Sequence, residues 1–253
     1  MNDAELAVRL VRDAGTLAGR MRSDGLETHT KTSISDVVTA ADHAAEKQVI
    51  DALALERPED GVLGEEGADR AGSTGRTWVI DPVDGTYNFV SGLPWWCSAI
   101  ALCEGDDLIL GAVHDPVEDA TYVGGPGLPA TRDGVPLAPL VDRPLAATCA
   151  ATYLHPPRHE DSAGEAFRRA ISGAATLRML GSMSMDSIAV ATGRVGVLFQ
   201  HSVAPWDELP GAALIRSVGG ETRHVTAGGV DWYVAGAPSP VAEVCAALVG
   251  RGR

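Results

Sequence analysis

The chain has 253 residues, a formal net charge of −14 and an apolar share of 45%, ordinary for a soluble globular protein. That length buries a sizeable core as one large domain or two modest lobes. The acidic balance argues against nucleic acid or an anionic membrane surface as a general partner, but leaves room for a phosphorylated substrate, because bound metal reverses the field locally.

From the N-terminus, residues 3–22 predict an amphipathic helix, with Leu6, Leu10, Ala14, Leu17 and Met21 recurring at spacings of three and four. Residues 27–38 lack helical periodicity. A second helix is expected from Thr39–Asp42 to about Leu55, with Ala45, Val49 and Leu53 inward and Thr39 or Asp42 as its cap. Arg57-Pro58-Glu59-Asp60-Gly61 breaks it. Val62-Leu63-Gly64 reads as a short strand ending at Glu65-Glu66, and a Gly/Ser/Arg-rich loop, 67–76, follows.

The next stretch, Trp78 to Ser91, reads W-V-I-D-P-V-D-G-T-Y-N-F-V-S. Trp78, Val79 and Ile80 suit the end of a buried strand, and Pro82 is expected to end the ladder pairing. Asp81 and Asp84 stand three apart across that proline turn. Carboxylates facing one way repel unless a cation sits between them, and oxygen ligands suit Mg²⁺. A helix starting at Gly85-Thr86 would offer unpaired N–H groups to a phosphate. By itself, D-x-x-D is an ordinary solvated turn.

Strands are then expected at 96–103, 107–113 and 119–123. Residues 124–144, rich in Gly and Pro, read as the least regular part and the boundary between lobes of about 1–142 and 143–253 within one domain. The second half alternates: strand 145–151, helix 161–172, strand 176–180, helix 183–193, strand 195–199, helix 207–217, strand 231–235, helix 239–249. Such alternation predicts α/β layering. Asp207 at a helix start is by default a cap or a complement to the helix dipole.

Other signals are weaker. His155 and His159 have metal-like spacing, but Pro156-Pro157 denies them a helix. Gly124-Gly125-Pro126-Gly127 has no following G-K-[ST] and is not a nucleotide loop. Ser98 and Ser182 lack the setting of a serine nucleophile. Cys97, Cys103, Cys149 and Cys245 show no C-x-x-C spacing and read as reduced thiols. With no signal-type N-terminus and no run of ~18 apolar residues, a cytoplasmic location is expected.

The Trp78–Ser91 stretch resembles, position for position, the first signature of the inositol monophosphatase family of Mg²⁺-dependent phosphatases. Further segments in the right order support the resemblance: Asp36–Asp42, Gly64–Glu66, Gly181–Met183 and Trp206–Gly220. It implies a layered α/β/α/β/α sandwich and, commonly, a homodimer. It implies Mg²⁺ held by Glu65, Asp81, Asp84, Asp207 and the Val83 carbonyl, with phosphate on the N–H groups of Gly85 and Thr86. Asp42 and Thr86 would orient and deprotonate the attacking water, and Lys31 would balance carboxylate charge. Gly181, Ser182, Met183 and Gln200 would meet the substrate. Met183 replaces a usual alanine and Gln200 the glutamate of animal members, which puts inositol itself in question; Leu209 and Pro210 also depart from the family's small residues. The implied reaction is hydrolysis of a small phosphorylated polyol or sugar. Alternatives within the class are phosphatases for histidinol phosphate, glycerol phosphate, fructose 1,6-bisphosphate or 3′-phosphoadenosine 5′-phosphate; outside it, an idle member serving as a protein-binding partner.

Overall fold

A computed structural model describes residues 1–25, 28–30 and 37–250; the side chains of 28–30, 37 and 38 are not described. Lys31 and Asp36 lie outside the described residues. The chain divides into two compact units: residues 1–136 with 181–185 and 205–214, and residues 137–180 with 186–204 and 215–253.

The first unit opens with α1 (Asp3–Asp24), capped by Asn2 through a reciprocal box with Glu5. Strands β1 (Thr28–Thr30) and β2 (Val37–Thr39) pair antiparallel. Thr39 then caps α2 (Ala40–Glu56), its hydroxyl taking the Ala41 and Asp42 amides while the Asp42 carboxylate takes the Thr39 amide. Strands β3 (Gly61–Gly64), β4 (Asp69–Arg70) and β5 (Arg76–Asp84) follow. A one-turn helix α3 (Thr86–Val90) leads to β6 (Cys97–Glu104), β7 (Asp107–Asp115), β8 (Ala120–Gly125), β9 (Leu128–Arg132) and β10 (Val135–Pro136). The eight-stranded sheet runs β10-β9-β8-β7-β6-β5-β3-β4.

Leu6, Leu10, Val11 and Ala14 of α1 and Ala45, Val49 and Leu53 of α2 share one core with Trp78, Ile80, Ile100, Leu102 and Ala112 of the sheet. The buried stripe of α1 drifts from the expected one: Ala18 is fully buried, while Leu17 and Met21 are only partly so. β5 is buried on both faces, which explains its near-continuous apolar run.

In the second unit, β11 (Cys149–Tyr153), α4 (Ser162–Ile171) and β12 (Thr176–Arg178) are followed by α5 (Met183–Ala191), whose first turn belongs to the first unit. Then come β13 (Val197–His201), α6 (Pro205–Ser217), again begun in the first unit, β14 (Glu221–Ala227), β15 (Val230–Gly236) and α7 (Pro238–Leu248). The sheet order is β12-β11-β13-β15-β14, and Phe167, Phe199, Trp232, Val241, Val244 and Leu248 fill the core beside it.

Several expectations are corrected. The stretch 124–144 holds the end of β8 and the β9–β10 hairpin. Its Gly and Pro residues mark turns between short strands, not absence of structure. Residues 145–147 form a 3-10 turn, and the strand begins at Cys149. Pro82 does not end β5: pairing with β6 lapses between Asp81 and Asp84 and resumes at Asp84 opposite Cys97. β14 was not expected, although Gly228-Gly229 is a two-residue hairpin signal. Both glycines take positive φ, 61° and 78°, as a twisted two-residue turn requires. Finally, α6 begins at Pro205, so Asp207 is its third residue and not its cap, and Pro210 sits past the first turn, where it removes an N–H from the helix ladder.

Candidate metal centre and active site

The bulge in β5 is the frame of the site. Ser98 of β6 donates its hydroxyl to the Pro82 carbonyl at 2.6 Å, pinning the irregular segment to the sheet. Asp81 and Asp84 are thereby held at the strand end, both buried. The first turn of α6 brings Asp207 to them: one carboxylate oxygen from each of the three lies within 4.8 Å of the others. Ala204 precedes the helix and Pro205 occupies its first position, so Asp207 is its third residue.

The chemistry of these acids fits a hard cation. Asp81 Oδ1 accepts the Val83 amide at 3.1 Å, but its Oδ2 is buried with no hydrogen-bond partner. An orphaned carboxylate oxygen is costly unless something positive meets it. Burial, then the charges of Glu65, Asp84, Asp207 and Asp42, push the Asp81 carboxyl well above the usual carboxylate range. Glu65 stands outside the tight triad but near enough to act on Asp81; its amide bonds the Ile80 carbonyl at 3.2 Å, which sets the start of the Glu65 turn against β5.

Asp84 has a second task. Its two oxygens accept the amides of Met183, at 3.2 Å, and Ser184 at the start of α5. Burial holds its carboxyl above the usual range, against the lowering effect of hydrogen bonds from Ser184, Ser182 and Met183. Ser182 Oγ takes the Met185 amide at 3.3 Å, closing the same helix start. Met183 is 5% exposed, so its side chain is packed and not presented to solvent. Gly85 adopts φ +91° just before α3 and faces Ser182, whose Cβ would lie 3.0 Å from a side chain at that position.

Thr86 Oγ1 lies 3.2 Å from Asp42 Oδ1 and 3.0 Å from the Val83 carbonyl, so one hydroxyl proton serves two acceptors. The other Asp42 oxygen is engaged by the amide and hydroxyl of Thr39. Asp42 thus caps α2 and touches Thr86 at once, through different oxygens. Its carboxyl is raised by burial, against the lowering effect of the Thr39 hydroxyl. Gln200 lies on β13 in the second unit, opposite Tyr153 and Tyr233. Ser98, considered in the sequence only as a nucleophile and set aside, serves instead to pin the β5 bulge, and Glu46 escaped the sequence reading, its position one turn beyond Asp42 being the available signal.

The profile of the inositol monophosphatase family matches residues 2–247. The chain is 30% identical over 224 residues to the Thermotoga maritima fructose-1,6-bisphosphatase/inositol-1-monophosphatase, covering 87% of this chain and 84% of that protein. It is 32% identical over 232 residues to the Escherichia coli (strain K12) Nus factor SuhB, covering 88% and 85%. Among solved structures, the Bartonella henselae extragenic suppressor protein suhB superposes with a TM-score of 0.88 at 26% identity, over 96% of this chain and 97% of that one. The chain belongs to the inositol monophosphatase family and has its α/β fold.

Proposed function

We propose that the chain is a Mg²⁺-dependent phosphate monoester hydrolase acting on a small phosphorylated polyol or sugar. The observation that carries this reading is the apposition of buried Asp81 and Asp84 with half-buried Asp207, with an unpartnered Asp81 oxygen, close by the Asp42–Thr86 pair. Glu65, Asp81, Asp84, Asp207 and the Val83 carbonyl would hold Mg²⁺; the carbonyl already accepts from Thr86, and its second lone pair remains. Mg²⁺ bound there supplies Lewis acidity toward the phosphoryl oxygens and favours attack by water.

The chain's own residues do the rest. Thr86 Oγ1 accepts the proton of the attacking water as its own proton passes to Asp42, which burial makes a stronger base than an exposed aspartate. The amides of Gly85 and Thr86 hold phosphate oxygens. Gly181 and Ser182 border this turn, with Met183 and Gln200 as candidates for shaping substrate preference. Family relatives that carry phosphatase names support the reading, among them the Thermotoga maritima protein.

A second reading draws on the name Nus factor SuhB carried by the Escherichia coli relative: a chain that serves as a protein partner. An idle partner has no use for two buried carboxylates apposed to a third, so we favour catalysis as at least one role. We further propose a homodimer in the cytoplasm; light scattering of the purified chain tests the dimer. Among the described residues no helix is long and apolar enough to cross a membrane. The decisive experiment is phosphate release from a panel of inositol, sugar, glycerol, histidinol and adenosine phosphates, with Mg²⁺ and after exhaustive chelation. Mg²⁺-dependent release is expected; turnover undiminished by chelation would overturn the mechanism, and no release from any member would favour the partner role.

A further inference from the structure

Glu46 is a carboxylate only 5% exposed, one helical turn beyond Asp42 on α2. Its Oε2 accepts the Glu66 amide at 2.9 Å and its Oε1 accepts the Ala68 amide at 3.2 Å. Those amides flank the turn between β3 and β4, which also carries Glu65. The approach is close: a side chain at Gly64 would collide with the Glu46 carboxylate. Backbone bonds hold the turn as well, through Gly64 N–H to the Ala68 carbonyl at 2.7 Å and Glu65 N–H to the Ile80 carbonyl at 3.2 Å. Asp42 and Glu46, four residues apart, lie on one face of α2. One rigid helix therefore touches Thr86 through Asp42 and the Glu65 turn through Glu46.

We infer that Glu46 is a positioning residue of the metal centre, fixing the turn that presents Glu65 at a set distance from the Asp42–Thr86 pair. The inference rests on the reading of Glu65 as a metal ligand given above. A buried carboxylate that takes two amides of a ligand-bearing turn belongs with the outer partners that orient metal ligands, whose loss typically weakens metal binding about 10–100-fold. Glutamine at 46 keeps the shape but offers one acceptor for two amides and turns an NH₂ toward the other.

The test titrates Mn²⁺ into the metal-free full chain by calorimetry, for the wild type, Glu46→Gln and Glu65→Gln. Amide hydrogen exchange is followed at Glu66 and Ala68. Glu46→Gln is expected to weaken Mn²⁺ binding by about 10-fold or more and to speed exchange at those two amides. A merely structural defect would lower the melting temperature without moving the Mn²⁺ affinity of the folded protein. If Glu65→Gln weakens binding and Glu46→Gln does not, the role of Glu46 is overturned and the metal centre stands. If Glu65→Gln binds Mn²⁺ as the wild type does, the reading of Glu65 fails and this inference with it. Should Glu46→Gln not fold, Gly64→Ala displaces the same carboxylate without removing it and must show the same loss; wild-type affinity there overturns the proposal.

Discussion

At the scale of single residues, the site is economical because several carboxylates serve two partners through separate oxygens. Asp42 caps α2 with one oxygen and meets Thr86 with the other. Under the proposed mechanism Thr86→Ala should lower kcat by about 10²–10⁴-fold, the usual range of general-base catalysis, while phosphate binding, assigned there to the amide, weakens little. Because the proposed relay makes the two side chains one unit, Asp42→Asn/Thr86→Ala should be little worse than either single change; steady-state kinetics of all four proteins decides, and losses that multiply would remove the relay. Asp81 makes a different prediction. Its carboxyl is raised by burial and by neighbouring acids, so between the unfolded pKa and the raised folded one the native state binds the extra proton. Its contribution to stability therefore falls as pH rises through that window. Metal-free Asp81→Asn should melt above the metal-free wild type at pH 8, by about 2–4 °C per kcal/mol relieved. That gap should close as the pH is lowered toward the ordinary carboxylate range. Calorimetric melts across pH test it, and a variant that melts lower at every pH would contradict the account.

At the scale of elements, strand ends and helix starts are stitched to each other by the same acids. Asp84 joins the end of β5 to the start of α5 through two amides. Asp84→Asn keeps one acceptor and should retain the fold while losing turnover; Asp84→Ala loses the cap as well and should cost a further ~0.5–2 kcal/mol. Chemical denaturation of the pair separates the two roles, and equal stability would show that the amides need no partner. Asp207 depends on how closely α6 lies on β7. A side chain at Gly111 would collide with the backbone of Pro210, three residues beyond Asp207. Gly111→Ala should destabilise by about 1–3 kcal/mol, as overpacking does, and should weaken Mg²⁺ binding because α6 carries Asp207, a ligand under the proposed function. Destabilisation without any change in Mg²⁺ affinity would mean that Asp207 is seated independently of this contact. The elements themselves were largely legible: α1, α2 and the β6 and β7 strands follow from periodicity and caps. The β9–β10 hairpin and β14 were not read, because short strands edged by Gly and Pro carry little period.

For the molecule as a whole, the net charge of −14 and the crowding of acids in the first unit set how it answers to cations. A ligand that binds only the folded state stabilises it by RT ln(1 + [L]/Kd), about 2.7 kcal/mol at one hundred times Kd. Saturating Mg²⁺ should therefore raise the melting temperature, and chelation should return it, in an assay that requires no substrate. Na⁺ at equal ionic strength should not reproduce the shift, since screening relieves exposed charges far more than buried ones. An equal rise with Na⁺ would assign the effect to general screening and not to the triad.

The sequence by itself determined the parts that contiguous residues can carry. Asp81-Pro82-Val83-Asp84-Gly85-Thr86 puts two acids, a carbonyl and two amides on one short piece of chain, and the Thr39–Asp42 spacing contains its own helix cap. Family signatures added Glu65 and Asp207 as expected ligands but not their geometry. Only the tertiary structure decided that Asp207 of α6 lies beside Asp81 and Asp84, that residues 181–185 and 205–214 join the first unit, and that Glu46 grips the Glu65 turn. The reason is physical: periodicity and capping are local and survive in any context, whereas apposition of distant carboxylates exists only when packed strands and helices hold it against their repulsion.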